Sequence, residues 1–288
     1  MKKLNQGRIK GYDYGLFLQE SLGSFMNDDV RLEGGQTTQP IPEGSMFLYE
    51  KPEVLTLEDH GALGITPLER PFDFAAKIQT VPLVATEIAS AQKNYPVIFS
   101  NLENPQVFAV VSILKDKNMF VDNNGHWAPF HYVPAYLRRH PFAFAKAEGD
   151  QLALVIDRGS ERITEDPKFP FFDGDKLTTD TQKMVEFCSQ VEGERQRTVD
   201  FANKLKELDL LDVQEVTPGS SDDEQQKITL ASYYAVNNKK FNELPPESLQ
   251  ELHKAGYLSF IYAHLHSMEN WGKLVERRSR MELATQSE

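Results

Sequence analysis

The feature that most constrains this chain is a change of hydrophobic period along its length. From Met46 to about Asp173 the apolar residues come in short runs bounded by turn-forming residues: Pro96-Val97-Ile98-Phe99, Gln106 to Ile113, and Met119-Phe120-Val121. Runs of that length and composition predict β-strands. From Thr178 to about Leu208 the pattern is different. Met184, Phe187, Cys188, Val191, Val199, Ala202 and Leu205 recur mostly at steps of three and four, which predicts one long helix. Strands first and helices later, without βαβ alternation, predict an α+β fold. Its antiparallel sheet comes from the N-terminal half plus one late strand, and C-terminal helices cover it.

Local punctuation refines this outline. Asn123-Asn124-Gly125 predicts a tight turn, because Asn and Gly tolerate positive φ. Phe142 to Ala145 and Leu152 to Ile156 flank Glu148-Gly149-Asp150, a second hairpin pattern. Between the two lies Tyr132 to Pro141, predicted as a short helix that Pro141 stops. Further on, Ile228 to Val236 reads as a strand, Pro246 to Gly256 as a helix, and Tyr257 to about Arg280 as another. That last helix has Leu258, Ile261, Leu265 and Met268 on one face. Its end is basic (Lys273, Arg277, Arg278, Arg280), in keeping with the helix dipole. Residues 1–44 lack regular apolar spacing and carry the turn-rich stretch 34–44. They are expected to form an extended arm, with one short helix around Tyr14 to Phe25. The expected organisation is that arm, a single domain over residues 45–280, and a flexible tail over 281–288.

Charge and cysteine usage exclude several classes. Acids outnumber bases 43 to 31 in the 288 residues, for a net charge of −12. That balance argues against nucleic-acid binding, which needs a basic footprint. Cys188 is the only cysteine, so neither an intrachain disulfide nor a multi-cysteine metal site can form. The basic N-terminus (Lys2, Lys3, Arg8, Lys10) is not followed by an apolar signal-peptide segment. The longest apolar runs, Val107 to Val111 and Leu152 to Ile156, are too short to span a bilayer. The expectation is a cytoplasmic protein without membrane insertion, with signal-less export left open.

No phosphate-loop, dinucleotide, nucleophile-elbow or zinc-protease motif occurs in the sequence. Several groups of residues invite a chemical reading. His126, His131 and His140 fall within fifteen residues, interleaved with Trp127, Tyr132 and Tyr136, and Asp122 is the only close carboxylate. Their spacings of five and nine are not those of a compact chelate, so no metal is assigned and no cofactor is expected. His264 and His266 stand two apart on a predicted helix and point to opposite sides, so a structural role is expected. Cys188 sits on an apolar helical face as a buried small hydrophobe. Asp173-Gly174-Asp175 lacks the further acids of a calcium loop and reads as a turn, and Glu192, Glu194, Arg195 and Arg197 read as a solvated helical face. Arg138 and Arg139, beside Tyr132 and Tyr136 in an acidic chain, are expected first to ion-pair with the acidic surface, with recognition of an anion or carboxylate as the alternative.

Three blocks resemble bacterial SapC-family proteins. They are Val81 to Glu87 running into Asn94 to Phe99; Met119 to Asp122 followed by Tyr132 to Phe142; and Phe241 to Pro245 through Tyr262 to Leu265. The similarity spans about residues 45 to 275. Two departures stand out: His140 replaces an expected aromatic residue, and Asn237 and Asn238 replace expected acids. The resemblance implies a non-catalytic accessory or binding protein associated with a bacterial surface layer or an outer-membrane receptor system. It carries over no catalytic residue. The candidate binding residues are Trp127, His131, Tyr132, Tyr136, Arg138, Arg139 and His140, facing a protein partner or a small anionic ligand; the oligomeric state is left open. The competing reading is an enzyme, metal-dependent or working beside flavin-dependent halogenases, that uses His126, His131 and His140 with Asp122. A third makes the protein part of a surface assembly.

Overall fold

The structure, a computed structural model, describes residues 46–146, 152–216 and 231–286. The readings for residues 1–44, the turn at Glu148-Gly149-Asp150, the 218–224 loop and the start of the late strand lie outside the described residues. The fold is α+β, with antiparallel sheets and several helices. The described residues fall into two compact units. The first takes residues 46–71 and 138–193, the second residues 72–137 and 194–286.

In the first unit, Phe142–Lys146 pairs with Leu152–Asp157 as the predicted hairpin, and Pro52–Val54 adds a third strand on the far side of Leu152–Asp157. A second small sheet places Gly64–Ile65 between Ile163–Thr164 and Phe169–Pro170. Gly64 is required there, because a Cβ would come within 2.6 Å of the Pro170 Cα. Asp173-Gly174-Asp175 is the expected turn: it joins Phe172–Asp173 to Lys176–Leu177, with Gly174 at φ +60°. Leu63, Phe142, Ile156, Ile163, Phe171 and Cys188 form the core of this unit.

The second unit is built on a five-stranded antiparallel sheet in the order Leu211–Val216, Ala231–Val236, Val97–Phe99, Val107–Val110, Thr80–Pro82. Val97–Phe99 and Val107–Val110 are buried at every position, which is why they read as continuous apolar runs instead of an alternation. Helix Leu258–Ser267 packs on the sheet: Ser267 Oγ accepts from the Val97 N–H at 2.9 Å, and His264 Nε2 from the Val236 N–H at 3.0 Å. Phe99, Phe201 and Phe260 fill the space beneath.

The long helix spans Thr179–Glu207 as its periodicity predicts. Asp209 follows at φ +53°, a conformation an Asp tolerates at a helix end, and the Leu210 N–H bonds back to the Leu205 carbonyl at 2.9 Å. Other boundaries differ. Leu211–Val216 is a strand that the sequence reading passed over, and the helix expected from Tyr257 to Arg280 is two helices, Leu258–Ser267 and Asn270–Gln286. Asn270 marks the break: its side-chain amide, deep in the fold, donates to the carbonyls of Gln92 (2.7 Å) and Tyr95 (3.0 Å). The last helix continues six residues past the expected end. Met119-Phe120-Val121 is not a ladder strand; Val121 makes one isolated bridge to Trp127 around the predicted Asn123–Gly125 turn. Asn118 holds this segment as a loop: its amide donates to the Ala75 carbonyl, and its oxygen accepts from the Phe120 N–H. The helix expected over Tyr132 to Pro141 contracts to Ala135–Arg138.

Candidate functional site

The second unit carries a cavity of about 620 Å³. One wall is the helix Asn270–Gln286, where Lys273, Arg277 and Arg280 recur at steps of four and three and so share a face with Leu274 and Met281. Lys93 and Asn94 contribute a second wall, the loop Lys117 to Asn123 a third, and Ala128, Pro129 and His131 close the fourth side.

Phe120 is the centre of this construction. The Arg277 guanidinium lies 4.4 Å from its ring centroid, and the His131 ring 5.2 Å away. Behind it stand Tyr95 at 4.8 Å, edge on, and Trp127 at 6.1 Å, stacked. The Tyr95 hydroxyl donates to the Tyr132 carbonyl and accepts from the Trp127 indole N–H at 3.1 Å, which ties the floor to the turn segment. Burial pushes the Tyr95 phenol above its usual range and keeps it neutral. Arg277 is fixed by its Nε–H, which donates to the Met119 carbonyl at 2.7 Å. Burial lowers its pKa from the ordinary arginine value.

The charge balance of the lining is unusual for so acidic a chain. Lys93, Lys117, Lys273, Arg277 and Arg280 face Asp122 and Glu276. Arg280 pairs with Glu276. Asp122 Oδ1 accepts the backbone N–H groups of Asn124 (2.9 Å) and His126 (2.8 Å). Among the described residues, Lys93, Lys117, Lys273 and Arg277 make no ion pair with a carboxylate. Lys273 donates to the neutral Asn270 oxygen at 2.8 Å. Four cations of one sign around a recess create a local positive potential that an anion would relieve.

Phe130 lies in the chain between the lining residues Pro129 and His131. It is fully exposed and has φ +63°. For a residue with a Cβ that conformation costs on the order of 1 kcal/mol or more, and no burial of the ring offsets it.

The seven residues singled out in the sequence divide between the units. Trp127, His131, Tyr132 and Tyr136 belong to the second, Arg138, Arg139 and His140 to the first. His131 lines the cavity, its Nδ1 2.9 Å from the Pro129 carbonyl. Trp127 lies behind the floor, and Tyr136 is buried. The Tyr132 hydroxyl donates to Glu87 Oε1 at 2.8 Å; the same oxygen accepts from the Ala135 N–H, while Oε2 accepts from the Val84 N–H. Arg138 is exposed and sits 5.0 Å over the Phe187 ring. Arg139 and His140 are 3% exposed. His140 Nε2 lies 3.2 Å from Asp157 Oδ2, and the His140 carbonyl accepts from Arg162 Nη1 at 2.7 Å.

His126, His264, His266 and the cysteine have plain roles. His126 is exposed, in the turn after Asp122. His264 is fully buried and His266 exposed, the opposite facings that helical spacing predicts. Burial pushes the Cys188 thiol up to about 11 against the opposing Arg139 charge, which leaves it an unreactive core group. Among the described residues no three His, Cys, Asp or Glu side chains gather as metal ligands would.

Sequence reasoning missed Lys93, Lys117, Phe120 and Phe130 and assigned the basic end of the last helix to the dipole alone. The 273, 277, 280 spacing was the available signal, since it sets three cations on one helical face.

Fold and cavity together define an α+β protein with a basic, aromatic-floored recess. The chain matches the SapC family over residues 55–274 and belongs to it. No curated protein and no solved structure matches it. Among the described residues, no helix is long and apolar enough to cross a membrane.

Proposed function

We propose that this protein is a non-catalytic accessory protein that binds a small anionic ligand in the cavity of the second unit, in the setting of a bacterial surface-layer or outer-membrane receptor system. The observation that carries the reading is the set of four cations, Lys93, Lys117, Lys273 and Arg277, lining one recess without a carboxylate partner among the described residues, in a chain of net charge −12. Arg277 supplies a planar fork suited to phosphate or carboxylate oxygens, held in place by Met119 and Phe120. The lysines supply flexible point charges around it. Nothing in the recess has the form of a nucleophile with its base, so binding is the chemistry the arrangement offers.

The test is calorimetric titration of the purified chain with inorganic phosphate and with acetate at low and at 0.3 M salt. Binding of either anion that weakens as salt rises is the expected result, because exposed cations are screened. Heats no larger than dilution for both anions would refute the proposal.

A further inference from the structure

We infer that the anion taken up by this cavity is an amphiphile, a phosphate or carboxylate head on an acyl or aryl body; the inference rests on the anion reading above. Three observations carry it. The cavity, at about 620 Å³, lies in the range that encloses a small organic molecule and is far too large for a lone ion. Its lining is also two-toned. Val121, Ala128, Pro129 and Met281, half-buried or exposed, add apolar surface to the same lining as Lys273 and Arg277, while Phe120 is buried beneath the Arg277 guanidinium. A bare anion would leave that apolar surface in water. A ligand with an adjoining apolar body would cover it while its head reached the cations.

The third observation is Phe130. The His131 N–H donates to the Ala128 carbonyl at 3.3 Å, with Pro129 and Phe130 as the central residues and Phe130 at φ +63°. This is the pattern of a type II turn, in which proline is favoured at the first central position and glycine at the second. The chain places there a phenylalanine whose ring is fully exposed. Strain without a packing return points to a contact made outside the isolated fold. Ala128, Pro129 and His131 line the cavity, so Phe130 stands where an apolar body leaving the mouth would cross the turn and bury the ring.

A free amphiphile and a phospholipid head group share this chemistry. The experiment therefore has two arms on the full chain: titration with inorganic phosphate and with octyl phosphate below its micelle concentration, and co-sedimentation with phosphatidylcholine vesicles with and without phosphatidic acid. Octyl phosphate should bind about tenfold tighter or better than inorganic phosphate, since each buried methylene adds affinity. Phe130→Gly should cut that advantage several-fold and leave phosphate affinity unchanged. Its Tm should stay within about 2 °C of wild type, as for other exposed sites. Phe130→Asn, which also accepts positive φ, should behave the same way. Co-sedimentation that depends on phosphatidic acid would identify a lipid head group as the source, and octyl phosphate binding without it a free amphiphile. If octyl phosphate binds no tighter than inorganic phosphate, the amphiphile inference fails and the anion site stands. If neither binds, both fail. An octyl advantage left intact in Phe130→Gly would overturn the role of Phe130.

Discussion

In the first unit, Asp157 accepts hydrogen bonds from the backbone N–H groups of Lys51 (2.8 Å), Glu50 (3.1 Å) and Gly159 (3.1 Å) and faces the His140 ring at 3.2 Å. In the second, Arg277, Lys273, Lys117 and Lys93 surround a recess; Arg277 meets the Met119 carbonyl and the Phe120 ring and Lys273 the Asn270 amide, but none of the four meets a carboxylate among the described residues. The first arrangement places every partner of its charge inside the fold, which makes it a structural device. The second has no such counter-charge among the described residues, which is what the anion proposal rests on. The difference teaches which basic residues to test for binding: those the fold leaves without counter-charge, not those that stand out in the sequence.

The largest expected effect comes from breaking the internal pair. Asp157→Ala removes the acceptor of three backbone donors and the partner of a buried histidine, and should cost about 3–4 kcal/mol in denaturant unfolding. Anion affinity, measured where the variant is still folded, should stay within about twofold of wild type, as for independent sites.

A slightly smaller effect is expected from acid. Burial pushes the His264 ring down to about 4, against the backbone contact at Val97, which favours the charged form. An unfolded histidine titrates near 6.5, so between the two values the unfolded chain binds the extra proton. Stability is then fully present above about pH 6.5 and is lost as pH falls towards 4, by about 3 kcal/mol from this residue. His140 is also lowered by burial and adds to the loss, although Asp157 opposes the shift. In the Asp157 carboxyl, burial acts upward; the His140 contact and the Lys51 and Glu50 N–H groups outweigh it and hold the pKa below the ordinary value, so its contribution disappears at still lower pH. Chemical unfolding at pH 7 and pH 4.5 measures the sum. His264→Gln, which can still accept from Val236, should remove much of the pH dependence.

Reversing two exposed cavity charges comes next. Lys93→Glu with Lys117→Glu should weaken phosphate binding about tenfold, or about 1.4 kcal/mol, with Tm within about 2 °C of wild type. Calorimetry and thermal unfolding read the two effects separately. The smallest change belongs to Arg138→Ala in the first unit, where an exposed cation over Phe187 contributes about 0.5 kcal/mol, and anion affinity should not change.

Elements whose pattern is local were legible in the sequence. The long helix, the 142–157 hairpin, the Gly125 and Gly174 turns and the opposite facings of His264 and His266 all follow from period and turn chemistry. Elements fixed from a distance were not. The break before Asn270 depends on carbonyls nearly 180 residues away, and the apolar period runs through it unchanged. Phe120 resembled a strand residue because the loop that carries it is held by Asn118 and by Arg277, 157 residues further on. The cavity escaped notice for the same reason. Lys93, Lys117 and Arg277 are far apart in sequence, whereas Arg138 and Arg139 are adjacent and drew attention, although one stacks on Phe187 and the other is buried.

The most direct test of the central claim is a crystal structure of the full chain with octyl phosphate. The expected result is phosphoryl oxygens within hydrogen-bonding distance of Arg277 or Lys273, with the alkyl chain against Pro129 and Phe130. A phosphoryl group bound at Arg138 instead, with the recess of the second unit holding only water, would contradict it.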